Sequence, residues 1–483
     1  MITIVRQALP LFIAVILLGL NLITASWWPV PWTDEALFLD PAANWFLQKS
    51  FTSSLWHTQP YGEFWISNAP GYSLVLAGWL KVFGFSLLSS RSLNMVLQAI
   101  LVWICINWAQ KRLKFKPLQL VLLALLLSWP NSAAFMARSG RYDMMACLCS
   151  TLMVLCLLNG RAVRIAVIVT GALMPWICLP ALAFTAVATI LLGPTSGRWI
   201  RIILHLGSAV MGFLALWLFA EWHLGGTKFL AILGSLWLGP STGTKSRLLF
   251  ENLLGLGADR FWLATVGFMG AYLLWQKKAA VALQEISYEL WAWLVSGVIA
   301  AVICAVLYKM NILYWWMLGV PLAFLFSSFS RMFRTKYLLL ALGVSGTLIV
   351  LGLPLRLLIG ASQFDQASAN SQLIRQGLAK IEINNERAVV YVNWPFYYEV
   401  KQRSAIVIGP NFLGGDVGSD LQPVLAFLAS GEDLPKRYSA FHKVVRSELG
   451  HPKSGEAGSI KLLLRRMSAG PINHVPEVQV FIP

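Results

Sequence analysis

Long apolar runs recur along most of this 483-residue chain, each about as long as the hydrocarbon core of a bilayer is thick. A helix needs roughly 17–25 apolar residues to cross a membrane, and runs of this length follow one another from near residue 9 to near residue 359. Hydrophobic residues make up 57% of the chain and charged residues 12%, against about a quarter in soluble domains. The chain is therefore predicted to fold in a membrane, which excludes a soluble enzyme and a secreted disulfide scaffold.

The apolar runs predict about eleven membrane-spanning helices. The first run is predicted to be an uncleaved span rather than a signal peptide, because tryptophans and prolines follow it where a small-residue cleavage site would lie. The spans are expected near residues 9–26, 86–109, 118–135, 143–159, 163–178, 179–196, 200–221, 261–276, 289–308, 312–329 and 337–359. The apolar segment 69–85 is predicted to be a helix lying at the outer interface, since an extra span there would break the charge pattern described next.

The chain carries a formal net charge of +17, and its bases fall in every second loop between the predicted spans. Positive loops of multispan proteins stay in the cytoplasm, so this alternation predicts a cytoplasmic N-terminus and a C-terminus outside the inner (plasma) membrane. A nucleic-acid partner is excluded, because the bases form no hydrophilic patch. The bases concerned are Arg6, Lys111, Arg112, Lys114, Lys116, Arg161, Arg164, Arg198, Arg201, Lys277, Lys278, Arg331, Arg334 and Lys336.

The composition becomes that of a soluble protein after the last apolar run. We therefore divide the chain into a membrane domain, residues 1–360, and a small extracytoplasmic α+β domain, residues 361–483. In the second domain the pattern predicts strands at 388–392, 405–408, 461–464 and 478–482, and helices at 364–381 and 421–429.

The first outer loop, residues 27–85, contains candidate catalytic carboxylates. Asp34 and Glu35 are adjacent and directly follow a tryptophan-rich membrane end, where ionised groups are costly to hold. The alternative interpretation is that Thr33 and the two acids only begin a helix, whose N-terminus favours such residues. His57 and Glu63, further along this loop, are candidate substrate ligands.

Basic residues on the predicted outer side form a second group of candidates. Arg138 and Arg141 precede Asp143 at the head of the fourth span, and they oppose the positive-inside trend. An anionic substrate would explain them, although a structural ion pair between one arginine and Asp143 is the alternative. Lys309 and Tyr314, on the same side, are further candidate substrate ligands, and the alternative for Lys309 is a lysine that snorkels within an aromatic belt.

The order and membrane side of these short motifs resemble the polytopic GT-C glycosyltransferases. This superfamily includes the protein O-mannosyltransferases and the bacterial transferases that add aminoarabinose to lipid A. The resemblance covers roughly residues 9–330 and departs from the family at Ala69-Pro70, where two prolines are frequent, and near Lys309 and Asn311, where an arginine is common. It is carried by Asp34-Glu35, Asn68 to Tyr72 running on to Trp79–Gly84, Arg91 to Asn94, Arg141 to Asp143 and Tyr314 to Pro321.

The resemblance implies roles for several residues. A first-loop aspartate is the family's catalytic base, which falls on Asp34 here with Glu35 beside it, and the acid matching Asp143 shapes the site. Basic residues hold the phosphate of a polyprenyl-phosphate sugar donor. Inverting sugar transfer needs one carboxylate to deprotonate the acceptor and cations for the departing phosphate, so a second carboxylate at glycosidase spacing is not required.

We therefore predict an all-α polytopic membrane protein with a GT-C-like fold, in contact with membrane lipids. Its predicted activity is that of a glycosyltransferase that moves a sugar from a polyprenyl-phosphate donor to a lipid, glycan or protein acceptor at the outer face of the inner membrane. One alternative is a transporter or flippase of lipid-linked sugars, which would carry ionisable residues at mid-span, and another is a non-catalytic relative that binds such lipids. No metal site is predicted from the spacing of cysteine and histidine, and a divalent-metal requirement is left open.

Overall fold

The computed structural model is predominantly helical, with one small sheet near the C-terminus. It describes residues 2–56, 59, 62–66, 70–193, 195–224, 228–232, 288–306, 312–329, 353–362, 364–380, 389–402, 406–408, 425–429, 442–444 and 478–482. Predicted span 261–276, most of predicted span 337–359 and predicted strand 461–464 lie outside these residues.

Most helices of the predicted membrane part follow the apolar runs, whereas the helix Thr33–Gln48 lies in the predicted first outer loop. The helices are α1 (Ile2–Ile23), α2 (Thr33–Gln48), α3 (Pro70–Phe83), α4 (Leu87–Trp108, with a π-helical turn Ala109–Leu113), α5 (Pro117–Ser128), α6 (Asn131–Arg138), α7 (Asp143–Asn159), α8 (Val163–Ile177), α9 (Leu179–Leu191), α10 (Arg198–Leu224), α11 (Tyr288–Val306) and α12 (Trp316–Phe329, after a 3-10 turn Ile312–Trp315).

Length and hydropathy separate these helices into two groups. Within the described residues, α4 with its π-helical turn, α10 and α11 are each long and apolar enough to cross a bilayer. Helices α5 and α6 meet at a bend of 64° and make a fourth span if counted as one. The bend falls at Pro130, which cannot continue the hydrogen bonding of α5. Helices α7, α8, α9 and α12 and the apolar part of α1 are shorter, so the predicted total of about eleven spans stays a prediction.

Small residues allow α8 and α10 to pack closely. A Cβ at Gly212 would overlap the carbonyl oxygen of Ala172, and one at Gly171 would lie 2.6 Å from the carbonyl oxygen of His205. Small residues let helix backbones approach in membranes, where packing and hydrogen bonds replace the hydrophobic effect between helices.

The C-terminal part forms a five-stranded mixed sheet with helices on its chain path. Its elements are α13 (Leu353–Ser362), α14 (Phe364–Lys380), β1 (Val389–Val392), a 3-10 turn (Trp394–Phe396), α15 (Tyr397–Lys401), β2 (Ile406–Ile408), β3 (Leu425–Ala429), β4 (His442–Val444) and β5 (Val478–Ile482). The strand order is β2-β1-β3-β5-β4, with β1 parallel to β2 and β3, and β5 antiparallel to β3 and β4.

The predicted helix at 421–429 is wrong, since Leu425–Ala429 forms strand β3. This strand lies between β1 and β5, where Ala426 and Phe427 are fully buried. A short apolar run buried on both faces has no strand periodicity, so its pattern does not distinguish a helix from a central strand.

The sheet-bearing part contacts the first loop directly. Ser54 donates a hydrogen bond to the carbonyl oxygen of Val407 in β2, 2.5 Å away. Tyr397 and Tyr398 of α15 reach carboxylates of α2, as described below. The boundary at residue 360 stays a prediction, but the two predicted domains share a buried interface.

Candidate active site

Helix α2 carries the two candidate carboxylates in its first turn. Trp32 is extended and precedes the helix without a side-chain capping hydrogen bond, while Asp34 and Glu35 lie where the helix dipole favours negative charge. Successive helical residues point about 100° apart, so the two side chains enter different surroundings. The side chain of Asp34 is 32% exposed, whereas that of Glu35 is 1% exposed.

Glu35 is enclosed in a buried bidentate ion pair. Arg91 of α4 donates from Nε to Oε1 at 2.6 Å and from Nη2 to Oε2 at 2.7 Å. Tyr398 donates its hydroxyl hydrogen to Oε1 at 2.9 Å. Arg91 also binds the carbonyl oxygen of Ala25 after α1, so this group joins α1, α2, α4 and α15. Both Glu35 oxygens are therefore engaged in structure.

Asp34 belongs to a second cluster, centred on Arg141. One terminal nitrogen of Arg141 makes a close ion pair with Asp34 Oδ2. Its Nε lies 2.8 Å from Asp143 Oδ2, without the alignment of a hydrogen bond. Asp143 is fully buried, and neither of its carboxylate oxygens receives a hydrogen bond from the described residues. The cluster thus offers a half-exposed carboxylate and a buried carboxylate with unused acceptor capacity.

Aromatic rings surround the Arg141 guanidinium. Its central carbon lies 4.9 Å from the ring centroid of Tyr142, 5.6 Å from that of Phe38 and 6.0 Å from that of Tyr314. Burial alone would lower the pKa of Arg141, but the Asp143 and Asp34 carboxylates beside it raise this pKa well above its ordinary value. Arg141 therefore stays positively charged, with three aromatic rings around its guanidinium.

Tyr314, a predicted substrate ligand, is linked to Arg141 by the hydroxyl of Tyr142. The two hydroxyl oxygens are 2.9 Å apart, and Arg141 Nη2 donates to the Tyr142 hydroxyl at 3.0 Å. The loop that carries Arg141 is fixed from α4, since Asn94 Nδ2 lies 2.5 Å from the Ser139 carbonyl oxygen and 2.6 Å from that of Arg141.

Arg138 faces away from this cluster, toward the end of α1. Its Nε binds Asn21 Oδ1, its Nη1 binds the carbonyl oxygens of Thr24 and Trp28, and its Nη2 binds Asn21 Oδ1 and Thr24 Oγ1. An arginine has five N–H donors, and these contacts account for all of them. The side chain is fully buried, so it stabilises the C-terminal end of α1.

The remaining predicted ligands are not gathered around Asp34. Glu63 forms an ion pair with Lys228, with Oε1 2.8 Å from Nζ and both side chains partly exposed. His57 and Lys309 lie outside the described residues. Among the described residues, no three histidine, cysteine, aspartate or glutamate side chains come together as metal ligands.

Asp40 is a buried carboxylate to which the sequence analysis gave no role. Its Oδ1 accepts a hydrogen bond from the Tyr397 hydroxyl at 2.8 Å and lies 3.1 Å from Lys401 Nζ. Its Oδ2 accepts from the hydroxyl of Ser53 at 2.8 Å and from the backbone N–H of Ser54 at 3.1 Å. Asp40 and Glu35 therefore fasten α2 to α15 at two points.

No protein-family model and no curated protein sequence matches this chain. Two solved structures match it along almost its whole length. ArnT from Cupriavidus metallidurans bound to undecaprenyl phosphate has a TM-score of 0.59 and 12% sequence identity, covering 93% of this chain and 99% of ArnT. The apo structure of the same ArnT gives the same score and identity, covering 94% and 100%. The chain therefore has the fold of ArnT, and the predicted resemblance is confirmed at the level of the fold.

Proposed function

We propose that this protein is a membrane glycosyltransferase that uses a polyprenyl-phosphate-linked sugar donor. The observation that carries the proposal is the placement of Asp34 on an ArnT fold: it is half-exposed and held by Arg141, while its neighbour Glu35 is sealed in an ion pair. The ArnT structure bound to undecaprenyl phosphate supports the class of donor. The acceptor is a lipid, glycan or protein at the outer face of the inner membrane.

In the proposed reaction Asp34 takes the proton from the acceptor hydroxyl, while the oxygen of that hydroxyl attacks the anomeric carbon of the sugar. A bond forms between that oxygen and the anomeric carbon, and the bond from the anomeric carbon to the phosphate oxygen breaks. The lipid phosphate leaves with the bonding electron pair, already ionised, and needs cations rather than a general acid. Attack opposite the leaving group inverts the anomeric configuration.

Arg141 has the position to couple donor binding to the release of Asp34. The cluster has two carboxylates for one guanidinium, and the contact with Asp34 is its more exposed side. Arginine binds phosphate through the same planar fork of N–H donors with which it binds a carboxylate. A donor phosphate that draws one terminal nitrogen of Arg141 away from Asp34 frees that carboxylate to accept a proton, while Asp143 retains Arg141 from inside.

Asp143 and Glu35 take supporting roles in this scheme. Apart from the ion pair of Oδ2 with Arg141 Nε, the oxygens of Asp143 have no aligned hydrogen bond from the described residues, and they suit sugar hydroxyls that enter the cluster. Glu35 holds the first turn of α2 against α4 through Arg91 and thereby positions Asp34.

The placement of the ionisable residues favours a transferase over a transporter. Glu35, Arg138 and Asp143 lie in the first or last turns of their helices and Arg91 is the fifth residue of α4, and their contacts join them at one end of the helix bundle. Transport pathways place such groups near the bilayer midplane. Charges at one end of the bundle, rather than at its middle, support a reaction between a lipid phosphate and a water-soluble sugar.

The decisive experiment compares the lipid-linked sugars of deletion cells, cells carrying the wild-type protein and cells carrying Asp34→Asn. Mass spectrometry of extracted lipids should show one polyprenyl-phosphate sugar that accumulates in the deletion and in the variant, but not in the wild type. The accumulated lipid then serves as the donor in an assay of the purified protein, which should release free polyprenyl phosphate. An unchanged pool of lipid-linked sugars in all three strains would contradict the proposal.

A further inference from the structure

A cavity of about 550 Å³ lies between α2 and α3, separate from the Asp34 cluster. Its lining includes apolar side chains and two lysines, namely Trp45, Lys49, Leu74, Ala77, Gly78 and Lys81. An apolar groove with cations at its border matches the two parts of a membrane lipid, acyl chains and an anionic head group.

The surface around the cavity is apolar as well as exposed. Trp45 is 44% exposed, Val75 43%, Val82 74% and Phe83 56%. Large apolar side chains exposed together on two neighbouring helices are costly in water and favourable against lipid. The cavity therefore opens toward the bilayer.

The two lysines are well placed to bind an anion. Both are exposed, and neither forms an ion pair with a carboxylate of the described residues. Lys49 Nζ makes only a long contact, 3.4 Å, with the carbonyl oxygen of Phe46. Lys49 also follows the last residue of α2 with φ at +61°, a backbone conformation that glycine adopts at lower cost. The backbone alone would therefore favour glycine at this position, whereas lysine adds a positive charge.

The site is too far from the proposed reaction centre to hold the donor's phosphate. Lys49 follows Asp34 by fifteen residues of one helix, which at 1.5 Å per residue is about 22 Å. The phosphate of the donor is bonded to the sugar carbon that reacts, so it must lie beside Asp34. A phosphate at Lys49 and Lys81 belongs to another molecule.

We propose that the cavity between α2 and α3 binds an anionic phospholipid of the surrounding bilayer, distinct from the donor, with its acyl chains along Trp45 and Leu74 and its negatively charged head group between Lys49 and Lys81. Such a lipid would brace α2, whose first turn carries Asp34. The proposal does not depend on the proposed reaction, since lipid binding is measured without donor or acceptor.

Native mass spectrometry of the full-length, delipidated protein tests this site with phosphatidylglycerol and with phosphatidylcholine of the same acyl chains. The wild type should bind one phosphatidylglycerol more tightly than phosphatidylcholine. Lys49→Gln and Lys81→Gln should each weaken phosphatidylglycerol binding about fivefold, and the double variant about thirtyfold, with phosphatidylcholine unaffected. Equal affinity for the two lipids in the wild type, or wild-type affinity in the double variant, would overturn the proposal.

Two further variants separate charge from shape. A Cβ at Gly78 meets no atom within 4 Å, so the side chain of Gly78→Leu can begin in the groove, and the reduced space should weaken the binding of both lipids. Lys114→Gln is the matched control, because Lys114 is also exposed and also has a positive φ, of 54°. Lipid binding that is unchanged in Gly78→Leu, or that falls equally in Lys114→Gln, would place the lipid elsewhere.

Discussion

Tyr398 donates a hydrogen bond to Glu35 across 363 positions of the sequence. The next residue back, Tyr397, makes the equivalent contact with Asp40 in the same helix. Both carboxylates are fully buried, so each tyrosine supplies a donor that water cannot replace. The C-terminal part of the chain is therefore built into the surroundings of Asp34, and changes in α15 should alter the site.

Tyr398→Phe should reduce both stability and turnover. Burial, together with the Glu35 carboxylate, raises the pKa of Tyr398 well above its ordinary value, so the hydroxyl is a donor at neutral pH. Its loss leaves Glu35 one donor short and should lower the free energy of unfolding by about 1–3 kcal/mol. Because Glu35 positions Asp34 in the same helical turn, we expect kcat to fall more than KM rises. Tyr288→Phe, at a tyrosine that is 74% exposed, is the control and should change neither quantity.

Lys401→Met should be more harmful alone than together with Asp40→Asn. Burial lowers the pKa of Lys401, and the Asp40 carboxylate opposes that shift. Each buried charge is therefore stabilised by the other. Removing one partner leaves an uncompensated buried charge and should cost about 3–5 kcal/mol, part of which the double variant recovers. Thermal unfolding of both single variants and the double variant gives the coupling energy, and strictly additive losses would contradict a direct pair.

The sequence predicted the helices better than it predicted the contacts among charged residues. The apolar runs located most described helices of the membrane part, because a bilayer imposes both length and composition on a span, but they missed α2 and did not predict the bend that divides span 118–135 into α5 and α6. The apolar runs did not reveal that Arg91 forms an ion pair with Glu35, or Lys401 with Asp40, because these pairs join segments that only tertiary packing brings together. One signal was available: Arg91 lies four residues into a span, where a lone charge needs a partner.

The two arginines of the sequence Ala137 to Asp143 should behave differently on substitution. Arg138→Ala removes five buried hydrogen bonds to Asn21, Thr24 and Trp28, so we expect loss of folded protein, with normal donor affinity in the fraction that folds. Arg141→Lys keeps the charge but loses the planar fork, and it should weaken binding of the polyprenyl-phosphate donor about tenfold. Size-exclusion recovery and donor titration distinguish the two effects. Normal donor binding by Arg141→Lys would move the phosphate site toward Lys309.

The alternation of basic loops predicts the sidedness of both ends of the chain. A reporter that is active only in the cytoplasm should be active when fused after Lys116 or Lys336, and inactive when fused after Pro483. The reverse pattern is expected of a periplasmic reporter such as a phosphatase. A cytoplasmic Pro483 would place the Asp34 cluster on the opposite side from the proposed acceptor and would remove the charge argument for the topology.

Asp34→Asn and Glu35→Gln are nearly isosteric changes at adjacent positions, and the structure predicts different failures for them. Asp34 is partly exposed and has one arginine partner, so its amide should leave the protein folded and able to bind donor. Loss of a general base should then lower the transfer rate by about two to four orders of magnitude. Glu35→Gln instead breaks the buried bidentate pair with Arg91 and should chiefly reduce stability and yield, by about 3–5 kcal/mol of unfolding free energy. Single-turnover rates and unfolding curves of both purified variants separate the two roles. Near-normal turnover by folded Asp34→Asn would refute its assignment as the base, because an aspartate that only begins a helix contributes about 1 kcal/mol of local stability and little to the rate.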